Sequence, residues 1–256
     1  MSDDTAPDGA LQPTAAIVVI GDEILSGRIR DANAAHLAET LTAWGVRLTE
    51  IRVVADERAA IVAAVRALSP RVDYLFTSGG IGPTHDDITA DAVAEALGAP
   101  IDIREDARTI LAAYYGDDLN AARLRMARIP EGAALVENPI SRAPGFVLGN
   151  VHVLAGVPAI FREMLAGLRT RLKGGAPTLS HAFRIEVPEG DLADPLRRLA
   201  EDALAVEIGC YPFYRGGLGA TVVLRSADHA ALARAAEALR ALLGAFGKPV
   251  AETPPG

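Results

Sequence analysis

The segment at residues 77–89, TSGGIGPTHDDIT, combines glycines, hydroxyls and carboxylates directly after a predicted strand. Gly79, Gly80 and Gly82 permit positive φ angles and a close approach of a ligand to the backbone. Their successive N–H groups are able to form an anion nest at the start of the next helix. No lysine follows the glycines, so the segment is not a P-loop. The alternative is a purely structural turn in which Asp87 caps the helix.

The carboxylates of the same segment, Asp86 and Asp87, would repel an anion bound there. In one arrangement that removes the conflict, a divalent cation such as Mg²⁺ lies between carboxylates and a phosphate, since Mg²⁺ typically uses one or two carboxylates plus phosphate oxygens. In another, an aspartate accepts N–H bonds from a heterocycle such as an aminopyrimidinone while the nest binds the phosphate. Both arrangements fit one site, and the candidate metal ligands are Asp56, Asp86 and Asp87.

Strands and helices alternate through the first part of the chain. Apolar β-rich runs predict strands at residues 16–20, 46–54 and 72–76, and amphipathic runs predict helices that begin at Asp31, Glu57 and Asp87. This alternation is typical of parallel βαβ units, and a hairpin at Gly149-Asn150 adds an antiparallel element. The sequence therefore predicts an α/β domain, with three layers (α/β/α) and a mostly parallel sheet, over residues 15–172.

A Gly/Pro break, KGGAPT at residues 173–178, marks a predicted domain boundary. After it the predicted order of elements is βαββα, which indicates a small α+β domain over residues 178–250. Residues 1–14 are predicted to be a disordered tail. The final AETPPG is predicted to be a second tail.

Ligands of open parallel sheets bind at the carboxyl edge, where the loops at residues 21–31, 55–56 and 77–89 should meet. Each of these loops carries at least one carboxylate. The GVP segment before the next helix could line the same pocket, and Arg142 places a cation beside a Pro-Gly turn. The candidate ligand-binding residues are Gly21, Asp22, Glu23, Ser26, Asn33, Ser78, Gly79, Gly80, Gly82, Pro83, Thr84, Thr89, Arg142, Pro144, Gly145, Gly156 and Pro158. Capping of a turn or helix is the alternative role for Glu23, Ser26, Asn33 and Asp56.

Composition excludes several classes of protein. The net charge of −8 argues against a nucleic-acid surface, which needs clustered Lys and Arg. One cysteine, Cys210, excludes an internal disulfide framework and a multi-cysteine metal site. No apolar run approaches the roughly 20 residues that span a bilayer, and the acidic start does not resemble a signal peptide. The expected compartment is the cytoplasm, and no membrane or nucleic-acid partner is expected.

A resemblance to a known family is carried by GDEILSGRIRDANAAHLAETL, VVADE, TSGGIGPTHDDITADAVAEALG, NPISRAPGF and VLAGVP, in that order. These segments resemble the molybdopterin-binding (MoaB/MogA-type) family, and most closely its CinA-like (competence/damage-inducible protein A) branch. EIGCYPFY is similar to the small second domain of that branch, and NVHVLAGVP is more similar to its short stand-alone members. SRAPG and LAGVP depart from the commoner GTAPG and LPGVP.

The resemblance implies a pocket for a phosphorylated pterin or an adenine nucleotide, with molybdopterin as a possible cofactor. By motif position it assigns Asp56 and Asp87 as catalytic residues that serve metal and phosphate chemistry. The implied reaction is metal-dependent attack on a pyrophosphate bond, as in ADP-ribose or FAD hydrolysis or adenylyl transfer. It also implies a symmetric homo-oligomer. A non-catalytic pterin- or nucleotide-binding module is the alternative, and a scaffold with a purely structural loop is a third.

Overall fold

The computed structural model describes residues 12–214 and 217–255. The chain divides into two compact units, and the break falls between Gly175 and Ala176, inside the KGGAPT segment. Residues 1–11 of the predicted tail lie outside the described residues, and Thr14 already belongs to the first strand.

The helices and strands of the described residues alternate in the first unit and give way to a mostly β unit with two helices. The strands are β1 (Thr14–Ile20), β2 (Arg47–Val54), β3 (Tyr74–Ser78), β4 (Ile101–Ile103), β5 (Arg128–Pro130), β6 (Ala134–Val136), β7 (Gly145–Leu148), β8 (Val151–Leu154), β9 (Leu179–Ile185), β10 (Glu207–Phe213), β11 (Gly219–Ser226) and β12 (Val250–Thr253). The helices are α1 (Asp22–Leu25), α2 (Asn33–Ala43), α3 (Arg58–Leu68), α4 (Thr89–Leu97), α5 (Glu105–Tyr115), α6 (Ala121–Leu124), α7 (Pro158–Gly167), α8 (Glu189–Asp202) and α9 (His229–Gly244).

The first unit is built on a six-stranded sheet with the order β2-β1-β3-β8-β7-β6. The strands β2, β1, β3 and β8 are parallel, whereas β7 is antiparallel to β8 and β6 is antiparallel to β7. The Gly149-Asn150 turn joins β7 to β8, and Gly149 has the positive φ of 59° that this turn requires. The mostly parallel sheet predicted from the sequence is confirmed.

Helices cover both faces of this sheet, because β1 is apolar on both sides. Alternate residues of β1 enter two separate cores, since successive side chains of a strand point to opposite faces. Ala16, Val18 and Ile20 pack with residues of α3, α4 and α5. Ala15, Ile17 and Val19 pack with residues of α2 and α7. The three-layer α/β/α architecture follows from this double burial, as predicted.

The helix that follows the glycine segment begins at Thr89, not at the predicted Asp87. The Asp87 side chain binds the preceding loop, as described below, and does not cap the helix. Helix α2 begins near its predicted position, because the Asp31 carboxylate accepts hydrogen bonds from the backbone N–H groups of Asn33 (3.3 Å) and Ala34 (2.8 Å).

The second unit is a small α+β fold, as predicted, with the element order βαββαβ. Its four strands are all antiparallel in the order β10-β11-β9-β12, which is a split β-α-β arrangement. Leucines of α8 and α9 pack against Phe183 and Val222 of the sheet. The predicted C-terminal tail is wrong at residues 251–253, which belong to β12 and pair with β9 as part of an edge strand. Residues 215–216 of the β10–β11 connection lie outside the described residues.

His152 on β8 should make the first unit sensitive to acid. Burial lowers the pKa of its imidazole from 6.5 to about 4, and the ring stacks on Phe76 with centroids 5.0 Å apart. In the unfolded chain the His152 imidazole is protonated below about pH 6.5, whereas in the folded chain it stays neutral down to about pH 4. The folded state therefore loses stability as the pH falls from 6.5 to about 4. We expect a loss of about 3 kcal/mol between these limits.

Chemical denaturation of His152→Phe should show a flatter dependence on pH than the wild type. His85→Asn is the control, because the His85 side chain is 99% exposed. If the stability of His152→Phe depends on pH as that of the wild type does, His152 is not the cause of the acid sensitivity.

None of the helices in the described part of the chain is both long and apolar enough to cross a membrane.

Candidate active site

A cavity of about 570 Å³ opens at the carboxyl edge of the parallel sheet. It is lined by segments that follow β1, β2, β3 and β8, and also by residues of 115–143. The chain passes from β1 to β2 on one side and then to β3 on the other, so the order reverses at β1. A crevice forms at such a switch point, and ligands of open α/β sheets bind there.

The first wall of the cavity is the turn at Gly79 and Gly80, which only glycine can form. Gly79 has φ 107° and Gly80 has φ 68°. A Cβ atom on Gly79 would lie 2.3 Å from the backbone oxygen of Ile20, and one on Gly80 would lie 2.1 Å from Oγ1 of Thr89. Thr89 fixes the turn from below, because its hydroxyl donates to the Gly79 oxygen (2.9 Å) and its N–H donates to the Gly80 oxygen (2.9 Å).

The glycine loop has fewer free N–H groups for an anion than the sequence predicts. The N–H of Gly79 donates to the backbone oxygen of Leu154 (3.3 Å), and that of Gly82 donates to Asp87 (2.6 Å). The N–H groups of Gly80 and Ile81 have no acceptor among residues 12–214 and 217–255. These two adjacent amides are the donors that remain for a phosphate.

Asp87 is the residue that closes the glycine loop. Its Oδ1 accepts from the Gly82 N–H, and its Oδ2 accepts from the N–H (2.7 Å) and the hydroxyl of Thr84. A carboxylate has about four acceptor positions, so one on Oδ1 remains after these bonds. The main role of Asp87 is therefore to hold the glycine loop in shape. Only one lone pair of its carboxylate remains for a cation.

Asp56 lies in a negatively charged environment at the end of β2. Its Oδ2 accepts from the backbone N–H of Asp22 (2.9 Å) and so ties two loops together instead of capping α3. Burial raises the pKa of the Asp56 carboxyl above its ordinary 3.8, and the charges of Asp22, Glu23 and Asp86 raise it further, while the Asp22 N–H opposes them. A bound cation would relieve this repulsion.

The cavity lining carries more negative than positive charge. Its charged residues comprise five carboxylates and a single guanidinium, namely Glu23, Asp31, Asp56, Asp86, Asp87 and Arg30. Within the described part of the chain, no three His, Cys, Asp or Glu side chains are grouped so that they alone could hold a metal ion. The residues fit a cation that takes one or two carboxylates and completes its shell with phosphate oxygens and water, as Mg²⁺ does. Asp56 and Asp86 are the available pair.

Asn33 ties the same loops from the opposite side. This residue is only 4% exposed, and its Nδ2 donates to the Ser78 hydroxyl (2.8 Å) and to the backbone oxygen of Gly156 (2.7 Å). The first turn of α2, the end of β3 and the loop after β8 are thus held together by one side chain.

Most of the predicted site residues meet at this cavity. Those that line it are Gly21, Glu23, Asn33, Asp56, Ser78, Gly79, Gly80, Gly82, Pro83, Asp86, Asp87, Gly156 and Pro158. Seven other predicted residues do not line it, namely Asp22, Ser26, Thr84, Thr89, Arg142, Pro144 and Gly145.

Four of these seven residues support the structure near the cavity. Asp22 and Thr84 act through the contacts with Asp56 and Asp87, and Thr89 lies beneath the glycine turn. A Cβ on Gly145 would lie 2.2 Å from the Val153 oxygen, so its glycine serves strand packing.

The remaining three residues do not contribute to the cavity wall. Arg142 has φ 61° and is not among the residues that line the cavity. Ser26 is exposed at the end of α1, where its hydroxyl donates to the Glu23 oxygen (3.3 Å). Pro144 borders only a small adjoining cleft of about 20 Å³.

Several lining residues were not predicted. Tyr115 and Met126 come from the α5–β5 segment, and Asn138 and Ser141 come from the loop before β7. Asn138 is 4% exposed, and its side chain bonds Ser141, Ile140 and Ala143 within that loop. Its position within NPISRAPGF was the one available signal for it.

Comparison with known proteins gives the family. Residues 16–174 match the family model described as a probable molybdopterin binding domain, and residues 177–247 match the middle domain of FAD synthase. The chain therefore belongs to the family of molybdopterin-binding-domain proteins.

Some of the similar proteins are described as CinA or CinA-like. The crystal structure of CinA from Thermoplasma acidophilum, described as a protein with unknown function, is 36% identical, covers 62% of this chain and 97% of its own, and superposes with a TM-score of 0.59. A CinA-like protein of Desulfosudis oleivorans is 37% identical over 62% of this chain, a match that covers 40% of the length of that relative. A protein of Archaeoglobus fulgidus is 33% identical over 77% of this chain and 84% of its own.

Proposed function

We propose that the cavity binds a phosphorylated pterin or an adenine nucleotide and promotes metal-dependent cleavage of a pyrophosphate bond. The observation that carries the proposal is the position of two free amides, Gly80 and Ile81, in a cavity whose other charges are mainly carboxylates. Amides attract a phosphate, and the carboxylates repel it unless a cation lies between them. The family supports a pterin or nucleotide as the ligand.

The roles of the residues follow from these contacts. The Gly80 and Ile81 N–H groups donate to a phosphate oxygen, and Asp56 and Asp86 hold the cation. A divalent cation, when bound, neutralises charge that develops on the phosphate oxygens. Asp87 keeps the amide turn in place through Gly82 and Thr84. In hydrolysis, a water oxygen bonds to one phosphorus while the bond to the bridging oxygen breaks, and in adenylyl transfer another phosphate replaces the water.

Calorimetric titration with ADP-ribose and FAD, each with Mg²⁺, Mn²⁺ or Co²⁺ and with EDTA, tests the proposal. We expect binding that depends on the cation, with AMP and ribose 5-phosphate formed from ADP-ribose, or AMP and FMN formed from FAD. Binding without any product would assign the non-catalytic module instead. Binding of neither nucleotide nor a pterin phosphate would overturn the proposal.

Asp86→Asn should weaken the cation-dependent binding by roughly tenfold, because loss of even an outer partner of a metal costs about that much. The melting temperature should stay unchanged, since the Asp86 side chain is 58% exposed. Asp202→Asn, at the exposed end of α8, is the matched control. Equal affinities of Asp86→Asn and the wild type in Mg²⁺ would remove Asp86 from the metal site.

A further inference from the structure

One buried polar atom of the cavity wall lacks a partner. Of the residues that line the cavity, only Asn33 carries a buried side-chain nitrogen or oxygen with no hydrogen-bond partner in the described part of the chain, and that atom is Oδ1. Buried polar groups are nearly always paired, so an orphan at a candidate site points to a missing ligand group.

The orientation of the Asn33 amide is fixed by its neighbours. The Gly156 oxygen is a carbonyl and can only accept, so the atom 2.7 Å from it must be Nδ2. Nδ2 has two hydrogens, and they go to Gly156 and to the Ser78 hydroxyl. Oδ1 therefore remains an acceptor and cannot be exchanged with Nδ2 by turning the amide.

The Ser78 hydroxyl is a hydrogen-bond donor next to the Asn33 Oδ1 acceptor. Its oxygen accepts from Asn33 at 2.8 Å, and its own hydrogen has no acceptor among the described residues. Ser78 is 2% exposed and lines the same cavity. The wall thus offers a donor next to an acceptor, which matches a ligand hydroxyl, a group that accepts and donates at once.

The position of Ser78 and Asn33 relative to the phosphate donors indicates which part of a ligand they contact. Ser78 lies two residues before Gly80, whose N–H is one of the two phosphate donors. In a 5′-nucleotide the ribose is adjacent to the phosphate, whereas the edge of a heterocycle, adenine or pterin, lies farther away. A ligand anchored at Gly80 and Ile81 therefore presents a sugar hydroxyl to Ser78 and Asn33.

We propose that the Ser78 hydroxyl and Asn33 Oδ1 together bind a ribose hydroxyl, and that the ligand is a nucleotide. The inference rests on the proposed function and narrows its ligand from the two classes named there to one. Ser78 donates to the ribose oxygen, and Asn33 Oδ1 accepts the ribose hydrogen.

A double-mutant cycle between protein and ligand tests the contact. The affinities of the wild type and Ser78→Ala are measured in Mg²⁺ by calorimetry for AMP, 2′-deoxy-AMP, 3′-deoxy-AMP and IMP. We expect one of the deoxy ligands to bind the wild type roughly tenfold more weakly than AMP, a typical consequence of losing one hydrogen bond. Ser78→Ala should bind AMP with a similar loss and should distinguish that deoxy ligand from AMP less than the wild type does, because the variant has already lost one of the two hydrogen bonds to that hydroxyl.

Two further variants separate recognition from loss of structure. Asn33→Ala should lose the same discrimination, although its melting temperature should also fall because the loops are no longer tied together. Ser226→Ala is the matched control, since this buried serine lies in the second unit, its hydroxyl donates to the Ala205 oxygen (2.7 Å), and it should keep the wild-type preference.

The failures are distinguishable. Equal binding of AMP and both deoxy ligands to the wild type, or additive losses in Ser78→Ala, would overturn this inference and leave the proposed function intact. Weaker binding of IMP, with the loss abolished in Ser78→Ala, would assign the pair to the base edge and overturn it as well. Binding of no nucleotide at all would overturn this inference, and it would overturn the proposed function as well only if a pterin phosphate also fails to bind.

Discussion

Gly79→Ala should abolish ligand binding and destabilise the first unit by about 2–4 kcal/mol. The new methyl group would lie 2.3 Å from the backbone oxygen of Ile20, and the residue has φ 107°, a conformation that L side chains rarely adopt. A main-chain oxygen cannot rotate away as the end of a side chain can, so either β1 or the glycine turn must move. The Gly80 and Ile81 amides move with the turn, and the phosphate loses both donors.

Gly98→Ala is the matched control for this substitution. Gly98 ends α4 with φ 70°, and a Cβ atom added to it would have no heavy atom within 4 Å. Gly98→Ala should therefore lose only the roughly 1–2 kcal/mol of stability that a positive φ costs a non-glycine residue, with no added loss from a steric clash. Denaturant unfolding and ligand titration of both variants make the comparison. Normal ligand affinity in Gly79→Ala would show that the turn does not bind the phosphate.

Asp56→Asn should separate stability from function. In the absence of ligand at neutral pH it should be more stable than the wild type, by at most about 1 kcal/mol because solvent screens a partly exposed carboxylate. Asparagine keeps an oxygen that can accept from the Asp22 N–H, and it removes the charge that burial and the neighbouring carboxylates disfavour. Cation-dependent ligand affinity should fall by roughly 100-fold or more, since even outer partners of a metal are worth 10–100-fold.

The pH dependence of this difference has a definite sign. Because the pKa of Asp56 is raised in the folded state, its contribution to stability is fully present below 3.8 and is lost as the pH rises through the higher folded value. The advantage of Asp56→Asn should therefore be greatest at neutral pH and vanish below pH 3.8. An Asp56→Asn protein that is less stable than the wild type at neutral pH, or that binds ligand normally in Mg²⁺, would contradict the assignment.

The core of the fold could be predicted because its signals are local. The apolar run of β1 is buried on both faces, and the alternation of strands and helices allowed few other architectures. The strand β12 was missed because the polar segment AETPPG resembles a tail. It is an edge strand, so pairing with β9 requires no apolar alternation on its part.

The site could be predicted at the level of loops but not of individual atoms. The carboxyl edge of the sheet gathers the predicted loops, so 13 of the predicted residues line one cavity. The sequence does not show that the Asp87 carboxylate accepts hydrogen bonds from Gly82 and Thr84, nor that Thr89 lies beneath the glycine turn. Tyr115 at the end of α5 and Met126 just before β5 reach the cavity through long-range packing, for which no motif exists.

A crystal structure of the complex with ADP-ribose and Mn²⁺ tests the central claim most directly, because anomalous scattering locates the metal independently of the ligand. The account predicts a phosphate oxygen within hydrogen-bond distance of the Gly80 and Ile81 N–H groups, and Mn²⁺ on the Asp56 carboxylate between that phosphate and Asp86. Mn²⁺ bound away from Asp56, or a phosphate outside the cavity at the carboxyl edge of β1 and β3, would contradict it.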